Sequence, residues 1–494
     1  MSRITLSFDR STGNFWMDTG LVVLLERFGE GEHEVENVRR TLVSQLAQPT
    51  GKKGEYYDVN ARAFREYSKV NWVYPVNLFI KVAGSAPKIM VDGRKVFTSP
   101  PEFDLPIKLS KEKNLCDICA EKSFLCDAKM WMYPFIVDPK KFGTFYPGTK
   151  RGLKLCARCA LAGLAAYLGW LWRAQGRDVL HFFIFHTDLR EMKRLHEEVL
   201  RPLQQQSTRG GTAPVAFAGP YLHETTLGLL LALFAHVPRS DRLSEEARQL
   251  LAALLGANAQ TPPLAVTLYA ITGKPGQAFN MQALREFSRL QPLYRLYEQW
   301  CALLQKVAPD PHQQLIQVFA QFQQKREKGV ETLWRDRIAR AILEFEDPLP
   351  FVAEFLFEAR AREENRQPLV FGTLDVLNHY IQEVLGMEEK FRATLAGFGS
   401  SLGNAAYKHN EMGLLYSLRN ARNLEDFYRV LNDVQFRLEL TVPEALLQLE
   451  RGERIAGVPW ERVKTLLSIY AMNAYLRRNT SPTERTQPTE QQEE

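Results

Sequence analysis

Cys116-Asp-Ile-Cys119 and Cys156-Ala-Arg-Cys159 are two C-x-x-C pairs separated by 36 residues. A C-x-x-C knuckle offers two thiolates from one tight turn, and two knuckles complete a tetrahedral sphere of four soft ligands. The spacing therefore predicts a Zn2+ site at Cys116, Cys119, Cys156 and Cys159. Four protein thiolates leave no position for water, so the site is expected to be structural. A pair of disulfides is the weaker reading of the same spacing. Neither pair lies in a thioredoxin-like βαβ pattern. Cys126, between the knuckles, reads as a small core residue or a substitute ligand, and isolated Cys301 reads as core.

Around the knuckles the charge is uneven. The 494 residues carry 63 Lys+Arg against 57 Asp+Glu, a formal charge of +6. Residues 111–160 alone hold ten Lys/Arg against five acids, so most of the excess charge sits with the cysteines. Among these, Lys140, Lys141 and Lys150 are the candidates for phosphate contact, because nothing structural requires a positive cluster there. The aromatics of the same stretch (Trp131, Tyr133, Phe135, Phe142) read first as the small core of a metal-stapled lobe. Stacked bases are the other use of such rings.

Working outward, the pattern is α+β. A mixed α/β N-terminal part (1–110) opens with an alternating strand at Ile4, Leu6 and Phe8 and a turn at Gly13-Asn14. Asp18 or Thr19 is expected to cap the apolar helix Leu21–Phe28, which ends at Gly29. A Gly51-Lys52-Lys53-Gly54 turn and strands at Val73–Val82 and Ile89–Val91 follow. The zinc-ribbon-like lobe (111–160) comes next, then a mainly helical domain (161–386). Helices are predicted at Leu161–Trp172, Leu189–Leu203, Glu224–His236, Ser244–Leu255, Met281–Lys306, Pro311–Ile342 and Val352–Arg366. A β-rich run lies at His181–His186 and a loop at Thr272–Gln277. A C-terminal helical bundle (387–479) precedes a polar tail, 480–494, expected to be disordered. Hydrophobic content of 45% argues against wholesale disorder. No apolar run reaches the roughly 20 residues of a membrane span. No apolar leader opens the chain. A soluble, cytoplasmic protein with no membrane partner is the expectation.

Enzyme signatures are missing. No G-x-x-x-x-G-K-[ST] is present to cradle phosphates, and neither His196-Glu197 nor His223-Glu224 continues as a zinc-protease helix. His33-Glu34-Val35-Glu36 misses the deaminase spacing. Asp18-Thr19-Gly20 occurs once, whereas aspartic-protease chemistry needs two carboxylates sharing a proton. The chain is expected to have no catalytic residues.

The stretch Gly13-Asn14-Phe15-Trp16-Met17-Asp18-Thr19-Gly20, the double C-x-x-C, the long helical region and the terminal bundle together resemble the large subunit of type I CRISPR Cascade complexes, in the I-A/I-B branch. The specific motifs cover about a tenth of the chain. The resemblance implies a non-catalytic partner of a guide CRISPR RNA, of the Cascade backbone and handle-binding subunits, and of the small subunit. Such a subunit inspects the PAM in double-stranded DNA and aids R-loop formation. It then offers a surface to a helicase–nuclease or to a transposition adaptor. Guide pairing reads most of the target, while protein reads PAM and backbone.

Groove reading calls for Lys, Arg, Asn or Gln on turn-like segments. On that basis Asn14, Lys52, Lys53, Arg209, Lys274, Gln277 and Asn280 are candidates. Lys408, Arg419 and Arg422, with Arg429, are candidates for a single-stranded DNA face on the bundle; pairing of these arginines with Glu425 and Asp426 reads equally well. In the same branch, small subunits often arise by internal translation, and Met387 is placed to start one. Two alternatives stay open: a stand-alone zinc-ribbon nucleic-acid-binding protein, and a metal-dependent hydrolase.

Overall fold

The computed structural model describes residues 4–72, 88–100, 105–129, 131–133, 152–175, 178–186, 188–204, 211–239, 243–254, 266–274, 280–327, 329–362 and 366–479. The strand expected at Val73–Val82, the candidates Lys140, Lys141, Lys150, Arg209 and Gln277, and the tail 480–494 lie outside them. The fold is α+β, with several small sheets among many helices. It divides into two compact units, Met1–Pro214 with Ala232–Gln291, and Val215–Leu231 with Pro292–Glu494.

In the first unit, β1 (Thr5–Leu6) pairs with β2 (His33–Glu34) on either side of α1 (Phe15–Phe28). Asn14, rather than Asp18 or Thr19, caps this helix, its side-chain oxygen accepting from the N–H groups of Trp16 and Met17. Asp18 turns back instead, and its carboxylate accepts from Thr12 N (2.6 Å), Thr12 Oγ1 (2.7 Å) and Gly13 N (3.0 Å). That grip holds the loop in which Gly13 adopts a left-handed φ of 73°. Trp16 to Leu25 are all buried, which explains why α1 is apolar around its whole circumference. Then follow α2 (Val35–Leu46), β3 (Ala47–Asp58), β4 (Ala63–Trp72), β5 (Lys88–Val91) and β6 (Arg94–Phe97). These strands form one sheet of order β4-β3-β6-β5. The expected Gly51–Gly54 turn is part of β3: the register shifts between Pro49 and Lys53, so the glycine-bearing stretch is a bulge within the ladder.

The metal lobe contributes β7 (Lys113–Leu115), β8 (Lys122–Asp127) and β9 (Lys154–Cys156), which leads into α3 (Ala157–Ala165). The helix expected through Trp172 stops early. After a 3-10 turn at Ala166–Leu168 the chain enters β10 (Leu171–Gln175). Gly169 permits this, because a Cβ there would lie 2.6 Å from Val23 of α1. β10 pairs in antiparallel order with β11 (Asp178–His186), β12 (Val266–Lys274) and β13 (Asn280–Phe287). Residues 272–274 and 281–287 are thus strand where a loop followed by a helix was expected, and 275–277 lie outside the described residues. Met281-Gln-Ala-Leu-Arg-Glu are strong helix formers, yet pairing with β12 prevails over propensity.

Two glycines bring the helices of this unit together, and Gly20 makes the tighter approach. A Cβ on it would lie 1.7 Å from Ala162 O of α3. Gly20→Ala must therefore push α1 off α3. Its expected cost is about 3 kcal/mol, at the upper end of overpacking in a dense core. Thermal unfolding of the variant checks this; an unchanged midpoint contradicts the crossing.

The second unit is helical. It holds a buried ion pair: Arg335 Nε lies 2.6 Å from Glu224 Oε2, with the two side chains 5% and 0% exposed. Thr332 Oγ1 and Tyr221 N also donate to Glu224, and Arg335 donates to Ala218 O at 3.0 Å. This network ties residues 215–231 to the helix Leu333–Glu344. The helix expected at Pro311–Ile342 is broken by a hairpin, Gln324–Arg326 with Gly329–Glu331. An unforeseen helix spans Thr373–Glu383.

Four helices of the expected bundle are present, at Glu389–Lys408, Met412–Asn420, Leu424–Leu438 and Trp460–Asn479. A Cβ on Gly403 would lie 2.0 Å from Ala471 O, so the first and last of them cross at close range. Packing continues across position 387. Asn473 accepts from Leu369 N (2.8 Å), Tyr416 donates to Phe357 O (3.2 Å), and Arg462 pairs with Asp347 (2.7 Å). No described helix is long and apolar enough to cross a membrane.

Candidate metal centre

The first knuckle is a turn between β7 and β8. Cys116 N donates to Glu121 O (2.9 Å) and Ala120 N to Cys116 O (3.0 Å), with Ala120 at a positive φ of 56°. The second knuckle is a strand end that becomes a helix. Cys156 closes β9 and caps α3, its Sγ accepting from Cys159 N at 3.4 Å. Pairing of β8 with β9 places Cys156 opposite Leu125, which brings the knuckles together despite the residues between them. Asp117 fastens the junction, donating from its N–H to Lys154 O (3.0 Å) while its carboxylate accepts from Lys154 N (2.7 Å).

The ligand atoms of Cys116, Cys119, Cys156 and Cys159 all lie within 4.8 Å of one another. Cys119 Sγ and Cys156 Sγ are 3.7 Å apart. Tetrahedral Zn–S bonds of about 2.3 Å put sulfurs about 3.8 Å apart, so this set fits a four-sulfur metal sphere. All four thiols are free, and three are fully buried.

The four thiols hydrogen-bond to one another, which splits their acidities. Cys156 and Cys159 donate to Cys116, which holds the Cys116 thiol far below its usual range. The same hydrogen bonds raise Cys159 strongly and push Cys156 up to about 12. Cys119 is lowered to about 6 by its hydrogen bond with Cys159 and, less, by Arg158. Cys116, Cys119, Cys156 and Cys159 would hold a divalent ion, which would neutralise the buried thiolates, and Cys156 N at 3.3 Å from Cys116 Sγ would serve as a supporting donor. Arg158 is itself buried and pairs with Glu121 at 3.2 Å, closing one side of the centre. Neither Asp117 nor Arg158 stands out in the sequence, since x-positions of a C-x-x-C pair carry no pattern of their own.

Cys126 lies on β8 but outside the cluster, and burial pushes its thiol up to about 11, so it is not a substitute ligand. Among the described residues the four cysteines are the one group of His, Cys, Asp or Glu arranged to hold a metal. The histidines sit elsewhere. His181 is fully buried and stacked on Trp170 (4.1 Å), with burial lowering its pKa to about 3. His196 is held between Glu26 Oε1 (2.6 Å) and Gly169 O (2.8 Å).

The other candidate residues scatter. Asn14 is spent on its helix cap and donates to Tyr133 OH at 3.3 Å. Lys53 lies in β3 and pairs with Glu66 (2.5 Å), with Lys52 beside it. Lys274 and Asn280 are register partners at the loop end of the β12–β13 hairpin. Lys408 ends its helix in an exposed position and Arg422 is also exposed. Arg419 is half-buried, paired with Glu358 (2.7 Å) and lying over the Phe357 ring, whereas Arg429 pairs with Asp426. Of the expected arginine face, only the Arg429–Asp426 pairing matches the surface-pair reading.

No protein-family model and no curated protein matches the chain.

Proposed function

We propose that this chain is a non-catalytic, zinc-stapled nucleic-acid-binding protein that works as the large subunit of a type I CRISPR Cascade. The reading rests on one observation above others. The two motifs that carry the resemblance are far apart in sequence, with Gly20 96 positions before Cys116, and they pack as one body. Gly20, the last residue of Gly13–Gly20, meets Ala162 of the helix that grows from the second knuckle, and Asn14 reaches Tyr133 of the lobe. Zinc is the ion that four thiolates in a tetrahedral set favour, and a site with four protein ligands has no position at which to activate water. These points support a structural lobe and a binding role over a metal-dependent hydrolase.

In this role the chain inspects the PAM of duplex DNA, helps the guide RNA open it, and presents a surface to a helicase–nuclease or to transposition machinery. Strand exchange is near-balanced energetically, so modest contacts from a non-catalytic subunit suffice to tip it.

Purification of the tagged chain from its own cells tests the reading. The expected result is a stoichiometric RNA of uniform length, with a repeat-derived 5′ end, together with a repeated backbone subunit. Recovery of the chain without RNA contradicts it and favours the stand-alone nucleic-acid-binding protein. Metal-dependent hydrolysis by the purified chain favours the hydrolase.

A further inference from the structure

Four thiolates around a divalent cation carry two net negative charges, and burial makes that charge costly unless donors or cations face it. Two backbone donors are in place, Cys156 N on Cys116 Sγ and Cys159 N on Cys156 Sγ. The cation is Arg158, the second x-residue of the knuckle Cys156–Cys159. Its side chain is 8% exposed, and its guanidinium donates to the Cys119 side chain and pairs with Glu121 at 3.2 Å. Glu121 is half-exposed and shared with Arg10 at 3.9 Å, so water screens it and it does not cancel Arg158. A further donor of the same side chain, Nε, is buried without a hydrogen-bond partner among the described residues. A buried arginine that keeps a donor in hand beside a thiol is the neighbour a metal-bound thiolate needs.

The same guanidinium also ends on the N-terminal loop. Nη1 donates to Arg10 O at 3.4 Å, across 148 positions of sequence. Two residues further on, Thr12 and Gly13 donate to the Asp18 carboxylate, and the positive charge of Arg158 acts on that buried group. Asn14 follows as the cap of α1. A planar fork with several donors can serve a sulfur, a carboxylate and a carbonyl at once, which a lysine ammonium does less well.

We infer that Arg158 is a positioning residue that couples metal loading to the order of the loop Arg10–Asn14. Hydrogen bonds to a charged acceptor are stronger than those to a neutral one, so a thiolate at Cys119 fixes the guanidinium more firmly than a thiol does. The fixed guanidinium in turn holds Arg10 O and faces Asp18. Such coupling is reciprocal: whatever loosens the loop weakens metal binding by the factor that metal loading tightens the loop. The inference rests on the metal centre and on none of the nucleic-acid reading.

Zinc affinity of the full chain, measured by competition with a chromophoric chelator, tests it in a double-mutant cycle. Arg158→Gln is expected to weaken zinc binding about 10- to 100-fold, the range for residues that support metal ligands. Arg158→Lys keeps the charge and is expected to recover most of that loss. Asp18→Asn removes no ligand, yet is expected to weaken zinc binding about 5-fold or more. In the Arg158→Gln background it is expected to add nothing, because the connection is already cut. Hydrogen exchange of the zinc-loaded chain reads the other end. The Thr12 and Gly13 amides are expected to exchange faster in Arg158→Gln, while those of β11 and β12 keep their protection and report an intact fold. Unchanged zinc affinity in Arg158→Gln or in Asp18→Asn overturns the inference and leaves the metal centre standing. Additive losses in the double variant overturn it as well, since a merely structural arginine gives that result. Failure of the unsubstituted chain to bind zinc overturns it together with the metal centre, whatever RNA the purification described above recovers.

Discussion

Cys159→Ser is expected to empty the metal centre and to lower the melting midpoint by about 10 °C or more. Cys159 is the most buried of the four ligands, 0% exposed, and sits in the first turn of α3. That turn is shared by two structures: the metal sphere behind it and the α1–α3 crossing ahead of it. A serine hydroxyl is a poor ligand for a soft cation, and three thiolates without their ion leave buried negative charge unmatched. Structural zinc contributes about 10–16 kcal/mol of apparent binding free energy in small zinc domains at neutral pH. Even if only about 4 kcal/mol of this reaches the first unit, domains of such size lose about 2–4 °C per kcal/mol. Elemental analysis and calorimetry read both effects together. Cys126→Ser is the comparison: it removes a buried thiol outside the sphere and is expected to retain the full metal content. Retention of one ion per chain by the Cys159 variant contradicts the ligand assignment.

The second large effect lies in the other unit. Arg335→Met leaves Glu224 without its cation at a site where the carboxylate is 0% exposed. Removing one partner of a buried ion pair costs about 3–5 kcal/mol, because the remaining charge is neither solvated nor paired. Burial already raises the Glu224 pKa even with Arg335 present, so its loss raises it further. A carboxyl whose folded pKa exceeds its unfolded value binds protons more tightly when folded. Its favourable contribution is complete below the unfolded value of about 4.5 and is lost as pH climbs through the raised folded value. The Arg335→Met deficit is therefore expected to shrink at pH 5 and to grow toward pH 8. Adding Glu224→Gln is expected to remove that pH dependence, since the amide cannot ionise. Chemical denaturation of the single and double variants at the two pH values measures it; a deficit independent of pH contradicts the buried-charge account.

The legible parts of this molecule share a property: their signal is local and chemically narrow. Two C-x-x-C pairs admit few readings, and the ligand set follows from spacing alone. The helix ending at Gly29 was legible because ten consecutive buried positions leave no polar face to misplace. What escaped depended on pairing partners that the local pattern does not show, from the next strand of a hairpin to residues more than a hundred positions away. Met281–Phe287 has helical propensity and becomes a strand only because β12 offers an edge. Lys52 and Lys53 look like a turn until β4 supplies a ladder, and the chain absorbs the glycines as a bulge. Asn14 is a groove-contact candidate in the sequence, and its position one residue before an apolar helix is the available signal of its role as a cap. Glu224 and Arg335 stand 111 residues apart, and no local pattern joins them.

X-ray absorption at the zinc edge of the purified chain is the most direct test of the central claim, that the four cysteines form a closed structural centre. The account predicts four sulfur neighbours at about 2.3 Å and no oxygen or nitrogen in the sphere. An oxygen neighbour replacing one sulfur would mean an open position on the metal, and would contradict a purely structural role.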